Sequence, residues 1–117
     1  MAVQGNYRGP TIRGDTLTWQ DGKTLREARV GTPEFIYWLV RARGFRFFHP
    51  EAGWFMAQRE VRRSADNFYW YASRPAGNRS YRLYMGAAFD KNGDLHFTAA
   101  YLEGIARKLG QKVNAYS

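Results

Sequence analysis

Between Gly53 and Gly86 the chain reads GWFMAQREVRRSADNFYWYASRPAGNRSYRLYMG. This stretch limits the possible folds more than any other. It divides into three extended runs, Trp54–Ser64, Phe68–Arg74 and Arg79–Gly86. The breaks are Ala65-Asp66-Asn67 and Pro75-Ala76-Gly77-Asn78, both rich in turn-forming residues. Aromatic and β-branched runs separated in this way predict an antiparallel three-stranded meander.

Alternation along those strands sorts their side chains into two faces. In the third run Leu83 and Met85 share one side and Arg82 and Tyr84 the other. In the middle run Trp70 and Ala72 fall together, which leaves Tyr69, Tyr71 and Ser73 opposite. The first run sets Phe55, Ala57, Arg59 and Val61 against Met56, Gln58, Glu60 and Arg62. Neither of its sets is cleanly apolar, so a bulge is expected there.

The flanking sequence supplies the rest of an α+β domain. Asp21-Gly22 between Thr16–Gln20 and Lys23–Val30 predicts a β-hairpin with a two-residue turn. Thr32, Pro33 and Glu34 form a helix start, and Phe35, Trp38, Leu39 and Ala42 make its buried stripe. Gly44 is expected to cap that helix in the left-handed conformation. Phe45–His49 reads as a short aromatic strand. Thr98 opens a second helix whose stripe is Leu102, Ile105, Ala106 and Leu109, with Gly110 as its expected cap. The prediction is a three-stranded meander with a C-terminal helix packed on one face, preceded by a hairpin and a helix. Residues 1–14 are expected to be a flexible basic arm, 15–110 a single domain and 111–117 a tail.

Charge directs attention to the face left open. The 117 residues carry 18 Lys and Arg against 10 Asp and Glu, a formal net charge of +8. That bias favours an anionic partner. The meander contributes Arg59, Arg62, Arg63, Arg74, Arg79 and Arg82 against Glu60 and Asp66, and it contains no lysine. Arginine interleaved with Tyr69, Tyr71 and Tyr84 offers planar forks for phosphate and rings for stacking. These nine residues form the expected nucleic-acid-binding set, with duplex DNA favoured as partner and RNA as the alternative.

Other classes find little support in the sequence. No apolar run approaches the roughly 20 residues that span a bilayer. The N-terminus has no apolar leader segment, and with zero cysteines a cytoplasmic location is expected. His49 and His96 each stand beside a phenylalanine, without ligand or triad spacing. Asp90-Lys91-Asn92-Gly93-Asp94 lacks the later positions of a calcium loop and reads as a turn. No glycine loop is arranged to cradle phosphate. The expectation is a non-enzymatic protein without metal, cofactor, small-molecule substrate or membrane. A protein-interaction module, such as a phage or mobile-element inhibitor or a subunit of a larger nucleoprotein assembly, is the alternative.

Two resemblances point the same way. Arg82-Leu83-Tyr84-Met85-Gly86 and the Ala-rich helix after Thr98 resemble the three-stranded-sheet DNA-binding domains of plant ethylene-response factors and the arm-binding domains of tyrosine recombinases. In those families the Arg and aromatic of that strand face DNA, which implies the same role for Arg82 and Tyr84. FMAQREVRRSADNFYWYASRPAGNRSYRLYMG followed by LHFTAAYLEGIARKL is similar to a module of bacterial LuxR-type, MalT-like activators and mobile-element proteins. LTWQDGK and TPEFIYWLV fit that module too, so the likeness spans Thr16 to Leu109. The chain departs from it at Leu83-Tyr84-Met85, where no basic residue directly precedes the tyrosine, and it lacks the ATPase and helix-turn-helix parts of those activators.

Overall fold

The computed structural model describes residues 9–61 and 68–115. It is α+β, with one seven-stranded sheet and two helices. The strands are β1 (Thr11–Arg13), β2 (Thr16–Asp21), β3 (Thr24–Arg29), β4 (Gly44–His49), β5 (Gly53–Val61), β6 (Phe68–Ala76) and β7 (Arg79–Gly86). The helices are α1 (Pro33–Arg41) and α2 (Ala99–Ala115). The spatial order is β3-β2-β1-β4-β5-β6-β7. The predicted meander is therefore β5–β7, one side of a wider sheet.

Neighbouring strands pair antiparallel except β1 and β4, which run parallel with Ile12 opposite Phe47. Parallel neighbours need a crossover, and the β2–β3 hairpin with α1 provides it. This pairing revises the expected arm, because Thr11–Arg13 is a strand and Ile12 is fully buried. Tyr7 and Arg8 of that arm lie outside the described residues.

Turn chemistry fixes both tight hairpins. Asp21 pairs with Thr24, so the β2–β3 loop is Gly22-Lys23, one residue later than expected. Gly22 has φ +64° and sits at the first central position, where a two-residue turn requires the left-handed region. Gly77, with φ +62°, has the same place between Ala76 and Arg79.

The start of α1 is as read from sequence. The Thr32 hydroxyl accepts a hydrogen bond from Phe35 N at 3.3 Å, and Pro33 takes the first turn. Its end is different. Ala42 is the C-cap in an extended conformation, and Gly44 begins β4. Gly44 is needed for close approach, since a Cβ there would stand 2.9 Å from the Ala57 carbonyl oxygen. Helix α2 likewise continues through Gly110 to Ala115, so the expected cap and most of the expected tail are helical.

Both helices pack on one face of the sheet. Ring contacts run from Trp19 to Trp38 (6.2 Å between centroids), Phe45 (6.2 Å), Trp70 (5.5 Å) and Phe97 (5.8 Å). Ala57 and Ala72 are paired, fully buried and small, and Ala106 of α2 is buried with them in the same core. The stripe Leu102, Ile105, Ala106 and Leu109 is buried as the periodicity predicts. The bulge does not fall in β5. It interrupts the β6–β7 register, where Trp70 pairs with Gly86 and Tyr71 with Tyr84, leaving Met85 as the extra residue.

Candidate nucleic-acid interface

Because the helices share one face, the other remains uncovered by them, and alternation places Tyr69, Tyr71, Arg82 and Tyr84 on it. Register brings the four together. Gln58, Tyr71 and Tyr84 form one lateral row across β5–β7, and Met56, Ser73 and Arg82 form the next. The Tyr84 ring lies 5.2 Å from Tyr71, edge to face, and 6.0 Å from Tyr69. The Arg82 guanidinium stands 4.3 Å over the Tyr71 ring and donates to Glu60 Oε1 at 2.6 Å. Tyr84 is 47% exposed and Arg82 is exposed, with Tyr69 and Tyr71 half-buried beside them.

The open edge of β7 is guarded by α2. Lys112 Nζ donates to the Arg82 carbonyl at 3.1 Å, and the Tyr101 hydroxyl donates to the Met85 carbonyl at 2.9 Å. Burial, and secondarily the charge that Tyr84 would carry, hold the Tyr101 phenol above its ordinary value of 10.0. It therefore remains a donor throughout the neutral range.

The remaining predicted residues are placed elsewhere. Arg59 shares the helix side with Phe55 and Ala57, and its Nη1 donates to the Val40 carbonyl of α1 at 3.2 Å. Arg74 shares the parity of Trp70 and Ala72 and reaches the side of Gly110 in α2, with its guanidinium 5.6 Å from the Trp54 ring centroid. Arg79 is exposed at the β6–β7 turn. Arg62 and Arg63 lie outside the described residues.

The sheet adds residues that sequence reasoning missed. Arg13, Arg46, Phe48 and Trp54 surround a shallow depression of about 120 Å³ on the same open face. Arg13 pairs with Phe48 across β1 and β4, Phe48 pairs with Trp54, and the Arg13 guanidinium lies 5.6 Å from the Phe48 ring. Alternation in Gly44–His49, with Phe45 and Phe47 inward, was the available signal for Arg46 and Phe48. The partnership with Arg13 was not, because it depends on the parallel pairing of β1 with β4.

Other features have structural explanations. His49 Nδ1 accepts from the backbone N–H groups of Glu51 and Ala52 at 3.1 and 3.0 Å, and Nε2 lies 3.4 Å from Glu103 of α2. The histidine thus closes a turn and ties it to the helix. Asp90 Oδ1 accepts from Asn92 N and Asp94 N, as a plain turn does. An open groove of about 600 Å³ lies between the β2–β3 hairpin and α1, with Trp19, Arg26, Trp38 and Arg41 in its wall. There Arg26 is held by Asp21 at 2.8 Å, and Arg41 is folded onto Tyr37. Among the described residues no three acidic or histidine side chains are grouped to hold a metal, and no helix is long and apolar enough to cross a membrane.

Comparison with protein-family models, with curated proteins and with solved structures yields no match to this chain.

Proposed function

We propose that this is a non-enzymatic nucleic-acid-binding protein whose contact surface is the helix-free face of the sheet. The observation that carries the reading is the cluster of exposed Arg82 and Tyr84 with half-buried Tyr69 and Tyr71, on a strongly basic chain. A guanidinium supplies a fork for phosphate oxygens or a guanine edge, and phenol rings supply stacking faces and hydroxyl donors.

A second reading, docking against an acidic protein, draws on the Glu60 carboxylate that already partners Arg82. A carboxylate from another protein would take up the same geometry. Salt separates the two, because release of counterions from phosphates makes nucleic-acid affinity fall steeply with ionic strength.

The test is a gel-shift series with duplex DNA, single-stranded DNA and RNA, using wild type and a variant carrying Arg82→Ala and Tyr84→Ala. Salt-sensitive binding by wild type and at least about tenfold weaker binding by the variant is the expected result. Equal binding by the two proteins removes the site assignment, and absence of binding to all three probes removes the function.

A further inference from the structure

The open face carries the same chemistry twice. In one cluster Arg82 covers Tyr71 beside Tyr84, and in the other Arg13 lies against Phe48 beside Trp54, with Arg46 adjoining. Alternation places both on the side away from the helices, and the Trp54 ring also has the Arg74 guanidinium 5.6 Å from its centroid. Trp54 is four residues along β5 from Gln58, the partner of Tyr71. At about 3.3 Å per residue and about 4.8 Å per strand, Trp54 and Tyr71 stand about 14 Å apart along the sheet. Arg46 and Arg82 occupy one lateral row, separated by Met56 and Ser73.

This spacing bears on the form of the ligand. Seven strands at about 4.8 Å make a surface about 29 Å wide, whereas a major groove about 12 Å wide admits one helix or a two-stranded ribbon. A duplex also keeps its base faces stacked on one another, out of reach of exposed rings. An unpaired strand presents both base faces and phosphates along a flexible path, which matches rings and guanidinium groups that alternate across a broad sheet. Between the clusters lie Met56, Gln58 and Ser73, so an amide and a hydroxyl are available to a ribose 2′-hydroxyl.

We infer that the open face binds unpaired RNA, with Phe48 and Trp54 forming a second base-stacking subsite and Arg13 and Arg46 receiving the adjoining phosphates. The inference rests on the nucleic-acid reading above and assigns its ligand and its second contact point.

Fluorescence anisotropy with labelled oligouridylate of about twelve nucleotides, the matching oligodeoxythymidylate and a duplex of equal length tests it. Wild type should bind the RNA several-fold more tightly than either DNA. A variant with Phe48→Leu and Trp54→Leu should lose roughly fivefold or more, in line with the stacking lost per base. Trp54→Phe keeps a ring and should keep most of the affinity, and Tyr37→Ala, on the exposed side of α1, should leave it unchanged. A thermal melt of each variant verifies folding.

DNA of either form bound as tightly as RNA overturns the inference. So does undiminished RNA binding by the Phe48/Trp54 variant while the Arg82/Tyr84 variant is impaired, an outcome that leaves the parent reading standing. Wild type that binds none of the three probes removes both.

Discussion

Arg82 and Glu60 are joined by a 2.6 Å ion pair that spans the width of β6, with both side chains about half exposed. The carboxylate sits beside the guanidinium that the proposed function assigns to phosphate. Surface pairs of this kind contribute about 0–1 kcal/mol to stability, so Glu60 chiefly moderates the charge of the face. Glu60→Gln should leave the melting temperature nearly unchanged while tightening nucleic-acid binding a few-fold at low salt. Unchanged or weaker binding would show that Arg82 does not meet the ligand.

Gly44 distinguishes two reasons for conserving space at the end of α1. A left-handed cap tolerates Asn nearly as well as Gly. Close approach to the Ala57 carbonyl, 2.9 Å from a would-be Cβ, tolerates neither Asn nor Ala. Both Gly44→Ala and Gly44→Asn should therefore cost about 1–3 kcal/mol in denaturant unfolding. A nearly neutral Ala or Asn variant would show that the approach to the Ala57 carbonyl does not constrain this position.

Tyr101 sets an alkaline limit. Its phenol is held above 10.0 in the folded chain by burial and then by Tyr84. Because the folded value exceeds the unfolded one, this contribution is fully present below pH 10 and is lost as pH rises through the folded value. In a spectrophotometric titration one tyrosine should ionise late, and Tyr101→Phe should remove that late component. The variant should also lose stability less steeply above pH 10 than wild type. An identical high-pH profile would contradict the assignment.

Phe45 meets Trp38 of α1 and Trp70 of the meander, so its ring connects the parts of the core beneath the two helices. It is 1% exposed. Phe45→Ala should cost about 3–5 kcal/mol, and loss of near-ultraviolet circular dichroism from both Trp38 and Trp70 should accompany it. A cost below about 1 kcal/mol would mean that the two parts are independent.

The meander, both helix starts and the sidedness of Tyr71, Arg82 and Tyr84 could be read from local patterns. Two-residue alternation and capping chemistry act over a few residues, and they survive into the folded chain. What escaped was non-local. Thr11–Arg13 is too short to show a period, and its strand identity comes from a parallel partner more than thirty residues away. The same omission hid Arg13, Arg46, Phe48 and Trp54 as a group. Gly44 and Gly110 were misread as helix ends because glycine signals either freedom of φ or lack of bulk. In this fold Gly44 supplies room for the Ala57 carbonyl, and Gly110 is an interior residue of α2. Arg59 followed the strand period faithfully, but its destination at the Val40 carbonyl depended on where α1 would lie.

Three residues, Thr11–Arg13, hold the hairpin to the rest of the sheet, since β1 stands between β2 and β4. The hairpin and the four-strand stretch from β4 to β7 each zip up from near neighbours, whereas this seam must wait for distant parts of the chain to meet. Its amide protons should therefore be the last of the sheet to gain protection during refolding. When the seam parts, Arg13 leaves Phe48, and one of the two ring groups loses a cation while Phe48, Arg46 and Trp54 stay on the paired strands β4 and β5.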